Sequence, residues 1–445
     1  MITRIEIDGF KSLRDFAMDL EPFTVLIGPN SAGKSNILEA LALLSRLVSM
    51  SMNDALKLGR GRVRDQFSRR GSEVVGEMTF KVDLLVVGAR FHAAVPRAHS
   101  RWRYVLRLSR RAVARLEQIV IAEESLSAIL TGEDDWASSH PEMAPWLSYK
   151  YSQPHAIFER RRNESTGDLE LTIQAGSSRG NPSFKDTVVA LGDLFIDEEE
   201  LIAMELQSLG FFSPDSIQVS ETSESTDVYE LARDGSNLPT VLASLDDEAA
   251  GSIRADLAAL IPSVASFEVT KDEEENVRLD LLLSTGERLP ARLASGGTLR
   301  ILALLTVLRM SPRSTVLCLE EPENGIYPAR LRALLERLRQ ASSTHESEER
   351  YLARAPLGSK IMPGFFWNLI GTQTLLTTHS PVALAALRAE PRHLRFIDMV
   401  VRDSWRVSRA RGVGQKVSRA EASQMVSVRE IDRLLQAAQS GEEGA

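Results

Sequence analysis

The chain has 445 residues and a formal net charge of −8, and its hydrophobic and charged fractions, 43% and 26%, are typical of a globular protein with two or three domains. The net charge excludes a uniformly basic nucleic-acid binder but leaves room for a local basic patch. The single cysteine, Cys318, excludes a disulfide framework and a Cys-x-x-Cys metal or redox site.

The N-terminal residues and the lack of long apolar runs predict a cytoplasmic protein without a membrane segment. Residues 1–7 alternate like a strand and lack the apolar core of a signal peptide. No uncharged apolar run approaches the roughly 18 to 20 residues that span a bilayer. A single cysteine in an apolar run also fits a reducing compartment.

The N-terminal part predicts two strands, one helix and an antiparallel β subdomain. Residues 1–27 have a strand–turn–strand pattern, and helical spacing follows as far as about Met50. The β-like runs at 74–86, 101–108 and 114–122 are separated by turn residues, as in a meander. We expect an N-terminal lobe at 1–123.

Residues 124–210 predict a helical or irregular insertion, with helical spacing from Phe184 to Leu209. A second lobe is expected at 211–403. Its predicted elements are helices at 228–245, 253–261, 299–308 and 328–339, a β pair at 267–269 and 277–283, and strands at 315–319 and 374–377. A polar helix at about 419–439 predicts a helical tail over 404–445.

Residues 341–371 interrupt the second lobe between a predicted helix and a predicted strand. An insertion of this length is usually a loop or lid. It contains the aromatic run Phe365-Phe-Trp367, which either contacts a partner or packs against its own core.

Residues Gly28-Pro-Asn-Ser-Ala-Gly33-Lys34-Ser35 fit the P-loop pattern G-x-x-x-x-G-K-[ST] between a predicted strand and a predicted helix. Lys34 would reach the β- and γ-phosphates of ATP, and the Ser35 hydroxyl would ligate Mg²⁺. A chance glycine-rich turn is the alternative. The expected contacts to ATP come from Asn30, Ser31, Gly33, Lys34, Ser35 and Asn36.

Three further motifs complete a possible ATP site. The strand at 315–319 ends in Glu320 and Glu321, of which the first would hold Mg²⁺ and the second would deprotonate the attacking water, unless both are merely solvated. Another apolar strand ends at His379, a candidate contact to the γ-phosphate. Gln66 is a candidate sensor of Mg²⁺ and water. Ser295, Gly296 and Gly297 open a helix whose N–H groups could bind phosphate, or simply form a cap.

In this set and order of motifs the chain resembles ABC-type P-loop ATPases of the RecF/SMC-like branch, closest to the ATPase modules of overcoming-lysogenization-defect (OLD) proteins. The matching segments are 5–13, 28–36, 234–238, 295–305, 320–326 and 377–381. The resemblance implies an α/β ABC-type core, a mixed sheet flanked by helices. The sequence departs from the family at Tyr327, where His is usual, and in the length of 341–371.

The resemblance also implies partners. Two subunits would sandwich ATP head to tail, so that Ser295–Gly297 of one faces the P-loop of the other, giving a homodimer or a higher even-numbered oligomer. Only 66 residues follow His379, fewer than the Toprim nuclease domain of OLD proteins needs, so we expect any nuclease, of Toprim or HNH type, to be a separate effector.

A DNA contact is also predicted from an arginine-rich strand. Seven arginines lie between Pro96 and Leu116, and strand alternation places Arg101, Arg103 and Arg107 on one face. They form either a solvated face or a phosphate-contacting stripe. Three functions remain open: an ATPase subunit of an anti-phage defence system, a RecF-like DNA repair ATPase, and an ATP-binding scaffold with little turnover.

Overall fold

The computed structural model describes residues 1–87, 99–113, 116–141, 143, 147, 149, 151–163, 166, 168–173, 197–225, 230–273, 276–310, 316–343, 372–414 and 424–434. The strands in these ranges are β1 (Ile2–Asp8), β2 (Phe16–Asp19), β3 (Phe23–Ile27), β4 (Arg69–Arg70), β5 (Glu73–Val74), β6 (Glu77–Val87), β7 (His99–Val113), β8 (Leu116–Ala128), β9 (Ala156–Arg162), β10 (Leu169–Ile173), β11 (Leu209–Phe212), β12 (Val264–Lys271), β13 (Val277–Leu283), β14 (Arg288–Pro290), β15 (Val316–Glu320), β16 (Gln373–Thr378), β17 (Leu394–Arg402), β18 (Trp405–Gly414) and β19 (Met425–Ser427).

The helices in the same ranges are α1 (Lys34–Ser49), α2 (Met52–Lys57), α3 (Asp135–Ser139), α4 (Asp197–Gln207), α5 (Leu238–Ser244), α6 (Asp247–Leu260), α7 (Gly296–Val307), α8 (Pro328–Ser343) and α9 (Pro381–Ala386). None of these helices is long and apolar enough to cross a bilayer.

A mixed seven-stranded sheet forms the centre of the fold. Its order is β11-β15-β16-β3-β17-β18-β19, and the first five strands run parallel, whereas β18 is antiparallel to β17. Its inner strands are apolar on both faces: Val25 and Leu26 of β3 belong to opposite core clusters, as do Cys318 and Leu319 of β15. This continuous burial is what a covered parallel sheet requires.

A second, fully antiparallel sheet packs against the same core. Its order is β10-β9-β8-β7-β6-β1-β2. Helix α1 lies between the two sheets, since its apolar residues share one core cluster with inward residues of both. Helices α5 to α9 cover the other face of the mixed sheet. The expected α/β core with flanking helices and an antiparallel β subdomain is confirmed.

The structure moves two expected boundaries. The antiparallel sheet does not end at residue 123, because β8 continues to Ala128 and residues 124–210 supply β9 and β10. The tail after residue 404 is not simply helical: β18 and β19 extend the mixed sheet, and only residues 428–434 of its described part are helical. Most of the 341–371 insertion and much of the helix expected at 184–209 lie outside the described residues.

Candidate functional site

The P-loop connects the middle of the mixed sheet to α1. Strand β3 ends at Ile27, and α1 begins at Lys34. Gly33 has φ +96°, a conformation that side chains resist, and a Cβ on it would lie 1.9 Å from Ser408 Oγ. A Cβ on Gly28 would lie 2.1 Å from the carbonyl oxygen of Ile397. Both glycines are therefore required by the close approach of β17 and β18 to the loop.

Lys34 is folded into this loop. Its Nζ donates to the carbonyl oxygens of Gly28 (2.7 Å) and Pro29 (2.9 Å), and the residue is only 5% exposed. Burial lowers the pKa of the Lys34 ammonium, while the charges of Glu321 and Glu323 oppose that shift. An anionic ligand at this loop would therefore replace carbonyl dipoles with a full counter-charge.

Hydroxyl groups anchor the loop from behind. Asn36 Nδ2 donates to Ser12 Oγ (2.7 Å), which lies 2.6 Å from Ser408 Oγ. Ser408 Oγ also donates to the carbonyl oxygen of Ala32 (2.8 Å). Asn36, predicted as a nucleotide contact, thus also links α1 to the β1–β2 turn.

The parallel strands bring the predicted catalytic residues to one edge. Strands β15, β16 and β3 are neighbours, and their carboxyl ends carry Glu320, Thr378 and the P-loop. Because parallel strands end at the same edge of a sheet, motifs far apart in sequence meet there. This edge is the candidate ATP site.

Glu320 is held by two arginines that sequence reasoning missed. Its Oε2 accepts hydrogen bonds from Arg60 (3.1 Å) and Arg233 (3.3 Å). Glu320 and Ser35 line one cleft. In the sequence, Arg233 was indicated only by its position directly before the matched segment 234–238. Arg60 follows α2 and belongs to no motif, so nothing in the sequence pointed to it.

Glu321 and His379 lie side by side. Glu321 has φ +45°, and its N–H donates to the carbonyl oxygen (3.1 Å) and Oγ1 (3.2 Å) of Thr377. Its carboxylate lies 3.3 Å from His379 Nδ1 and accepts from Asn324 Nδ2 at 3.2 Å. A non-glycine residue in this conformation is strained, and such strain often occurs at functional sites.

Glu323 is a further acidic residue at this edge that sequence reasoning did not single out. Its Oε1 accepts from Thr378 Oγ1 (2.6 Å) and from the N–H of His379 (3.1 Å). The side chain is 9% exposed and lies 3.6 Å from His379 Nδ1. Glu323 therefore fixes the strand end that carries His379. The sequence feature that could have indicated Glu323 is its position as the third glutamate within residues 320–323.

Ser295 caps α7 rather than lining the cleft that contains Ser35. Its Oγ accepts from the N–H of Thr298 (3.2 Å). The α7 N-terminus packs tightly on the turn after Glu321, because a Cβ on Gly297 would lie 2.1 Å from the carbonyl oxygen of Gly325. Beside it, Leu293 and Tyr327 are 65% and 69% exposed.

Gln66, the candidate sensor of Mg²⁺ and water, is buried in the described structure. It is 1% exposed, and its Nε2 donates to the carbonyl oxygen of Leu56. It is absent from the residues that line the cleft with Ser35 and Glu320. The role of Gln66 as a sensor of Mg²⁺ and water stays a prediction.

The predicted arginine stripe is largely paired with carboxylates. Arg101 is 3% exposed and binds Asp134 through two bonds of 2.7 and 3.0 Å, so it cannot contact DNA. Arg103 is paired with Asp83 at 2.7 Å, and Arg107 with Glu123 at 2.7 Å. The strand alternation was correct, since Trp102, Tyr104, Leu106 and Leu108 are buried. At Arg101, however, the stripe does not face solvent, because a 3-10 turn and α3 cover it.

The residues present fit Mg²⁺ bound together with phosphates. Among the described residues, no three His, Cys, Asp or Glu side chains form a metal site of their own. Mg²⁺ in phosphate-binding sites commonly uses one or two protein oxygens and completes its shell with phosphate and water. Ser35 and Glu320, which face one cleft, are a donor set of this kind.

Two segments of the chain match family models. Residues 1–83 match "AAA ATPase domain", and residues 205–385 match "AAA domain, putative AbiEii toxin, Type IV TA system". Both are ATPase domain models. They cover the P-loop in one segment and Ser295, Glu320, Glu321 and His379 in the other, so the chain has a P-loop ATPase fold. No curated protein matches the chain.

Solved structures of SMC heads are also similar. The SmcHead bound to the C-winged helix domain of ScpA is 13% identical, with 92% of this chain and 97% of that chain covered and a TM-score of 0.44. The SMC head domain from Thermotoga maritima is 11% identical, with 93% and 99% covered and a TM-score of 0.42. The Smc head domain with an extended coiled coil, bound to the C-terminal domain of ScpA derived from Pyrococcus furiosus, is 11% identical, with 92% and 96% covered and a TM-score of 0.46.

Proposed function

We propose that this chain is an ATP-binding and ATP-hydrolysing ABC-type ATPase that dimerises around ATP. We further propose that it is the sensor or scaffold subunit of a prokaryotic anti-phage defence system and controls a separately encoded effector, a nuclease of Toprim or HNH type. The observation that carries the ATPase assignment is the convergence of Lys34, Glu320, Glu321 and His379 at one edge of the sheet.

The P-loop would bind the phosphates of ATP. Lys34 Nζ would exchange the carbonyl oxygens of Gly28 and Pro29 for phosphate oxygens, and the N–H groups at the start of α1 would add further donors. Ser35 and Glu320 would hold Mg²⁺. When bound, Mg²⁺ neutralises phosphate charge and polarises the γ-phosphoryl group.

Glu321 is the proposed general base. Its Oε1 would take the proton of the attacking water, while the bonds from Asn324 and to Thr377 hold the carboxylate and backbone in place. His379, 3.3 Å from Glu321, would contact the γ-phosphate, and Glu323 would position His379 through its N–H.

The dimer proposal is supported by the position of Ser295. This residue and the N-terminus of α7 are outside the cleft of their own Ser35. They lie beside the exposed side chains of Leu293 and Tyr327, so a second subunit could reach them. In a head-to-tail pair, Ser295–Gly297 of one subunit would complete the phosphate shell of the other.

The defence role is supported by the description of the family model that matches residues 205–385, a putative AbiEii toxin of a type IV toxin–antitoxin system, and by the motif resemblance to OLD proteins. In this role ATP binding would set the assembly state of the subunit, and that state would hold or release the effector.

The ATPase proposal is tested with Glu321→Gln. We expect hydrolysis to fall by about 10²- to 10⁴-fold, because the general base is lost, while ATP binding persists and the ATP-bound dimer accumulates. Turnover and light-scattering mass are measured with and without ATP. Glu336→Gln, at an exposed position on α8, is the matched control. Wild-type turnover in Glu321→Gln would refute Glu321 as the base, and a mass that never responds to ATP would favour the scaffold function.

The defence proposal needs a separate experiment. We expect cells that carry the gene with its neighbouring effector gene to resist phage, and Lys34→Met to abolish that protection. ATP-dependent DNA binding by this chain, with no toxic partner encoded nearby and no protection, would instead establish the RecF-like repair function.

A further inference from the structure

Two clefts meet along α1. The first begins at Ser35 and Glu320. The second runs along the edge strand β11. Both are lined by Ala42, Arg46, Phe211, Phe212 and Arg233. Two guanidinium groups and two aromatic rings therefore stand where the candidate ATP site opens into the second cleft.

Arg46 is poorly matched with counter-charge among the described residues, since Glu39 is the one carboxylate there that raises its pKa. Arg46 forms no ion pair with the described residues within 4.0 Å, and its Nε is buried without a hydrogen-bond acceptor. Of the carboxylates that line the first cleft, Glu39 is paired with Lys11 and Arg60, and Glu320 with Arg60 and Arg233. Glu230 lines the second cleft but forms no ion pair with Arg46. A cation that is half-buried beside another cation is costly unless an anion joins it.

The electrostatics agree with this geometry. Burial lowers the pKa of Arg46, and the positive charge of Arg233 lowers it further, whereas Glu39 opposes the shift. An oxyanion between the two guanidinium groups would remove the repulsion. Guanidinium groups bind tetrahedral phosphate with paired hydrogen bonds.

The position of Arg46 makes this site distinct from the P-loop. Lys34 and Arg46 are the first and thirteenth residues of α1, so their Cα atoms are about 18 Å apart at ~1.5 Å per residue. Because helical side chains lean toward the N-terminus, the Arg46 head is carried back along the cleft toward Ser35. It is therefore placed to meet an anion that leaves the candidate ATP site.

We infer that Arg46 and Arg233 form a second oxyanion site that binds inorganic phosphate, and that product phosphate leaves the ATP site through it. The binding site stands on the structure of the clefts, whereas the exit route rests on the proposed ATPase function. Arg233 connects the two, since it also binds Glu320.

The binding site is tested with inorganic phosphate in a Lys34→Met background, which removes phosphate binding by the P-loop. We expect phosphate, but not chloride at equal ionic strength, still to raise the melting temperature and broaden the ³¹P signal. Adding Arg46→Gln should weaken phosphate binding by about 10- to 100-fold. Adding Arg332→Gln, at an exposed position on α8, should leave phosphate binding unchanged. A Lys34→Met protein that ignores phosphate would overturn the second site.

The exit route is tested by comparing ATP cleavage, measured by acid quench, with phosphate release, measured with a phosphate sensor, in single turnovers. In Arg46→Gln we expect an unchanged cleavage rate and a change in release rate of about 10-fold or more. If phosphate release in Arg46→Gln follows ATP cleavage as quickly as in the wild type, the exit route is refuted. The site would then bind only phosphate from solution. A wild type that does not cleave ATP would refute the proposed function, while the binding result would stand.

Discussion

At the residue scale, the candidate site depends on contacts that the motif letters do not show. Gly33 is required because Ser408 and Ser12 occupy the space of any side chain there. Gly71 has a similar backbone conformation, with φ +60°, but nothing lies within 4 Å of its Cβ position. Substitutions at these two glycines therefore distinguish the cost of backbone strain from the cost of a steric clash.

Gly33→Ala should destabilise the protein far more than Gly71→Ala. The exposed Gly71 variant has only the left-handed backbone strain of about 1–2 kcal/mol. Gly33→Ala adds the displacement of Ser408, whose hydroxyl hydrogen bonds are worth about 1 kcal/mol each, so we expect a total of about 3–4 kcal/mol. Urea unfolding of both variants measures the difference. Equal losses would show that β18 does not confine the P-loop.

At the element scale, the arginines of β7 stabilise the fold rather than forming one charged face. Alternation was predicted correctly for this strand, but the partners come from other elements: Asp134 caps α3, Asp83 lies on β6 and Glu123 on β8. Arg101 and Asp134 are each 1% exposed at their side chains, whereas Arg107 is 43% exposed. Arg101 is therefore a buried residue that stabilises the fold, whereas Arg107 is a surface residue.

Arg101→Gln should lower stability by about 3–5 kcal/mol, because it leaves the Asp134 carboxylate buried without its cation. Arg107→Gln should cost about 0–1 kcal/mol, since its pair is solvent-screened. Thermal unfolding of both variants tests the contrast. If DNA binds at this sheet, only variants of Arg103 and Arg107 should weaken DNA binding without unfolding the protein. An Arg101→Gln protein as stable as the wild type would contradict the importance of the buried Arg101–Asp134 pair.

At the scale of the whole molecule, the site is assembled from both ends of the chain. The P-loop belongs to the N-terminal part, whereas Glu321 and His379 lie some 300 residues later and reach it because β15, β16 and β3 are adjacent. Ser295 is not among the residues that line the cleft of Ser35 and Glu320 in its own subunit, and we propose that it acts on the ATP of a partner subunit. The unit proposed to hydrolyse ATP is consequently a pair of chains.

Ser295→Asp tests the head-to-tail arrangement. Aspartate is as good a helix cap as serine, so stability should be unchanged, but its charge would oppose the phosphates of the partner's ATP. We expect ATP binding without ATP-driven mass growth or turnover, and Ser295→Thr should behave as the wild type.

Mixing provides the decisive control. A one-to-one mixture of Ser295→Asp and Lys34→Met subunits should recover turnover, because the intact P-loop of the first can face the intact Ser295 of the second. A mixture that stays inactive, or a Ser295→Asp protein that dimerises with ATP, would rule out a composite site.

The sequence by itself determined what contiguous residues encode. The P-loop, the apolar strand ending in Glu320 and Glu321, the strand ending at His379 and the alternation of β7 all follow from spacing along a single segment, because local backbone geometry repeats with a fixed period. The α/β class followed from the same patterns.

Only the tertiary structure decided which groups meet across long separations. The pairing of Glu320 with Arg60 and Arg233, the contact of Glu323 with His379, the burial of Arg101 and Gln66, and the addition of β18 to the mixed sheet each join residues from different elements. The sequence alone does not show whether a charged or polar side chain will face solvent, a carboxylate or a cleft. That choice is made by the packing of the sheets around α1, where the cost of burying an unpaired charge selects the partner.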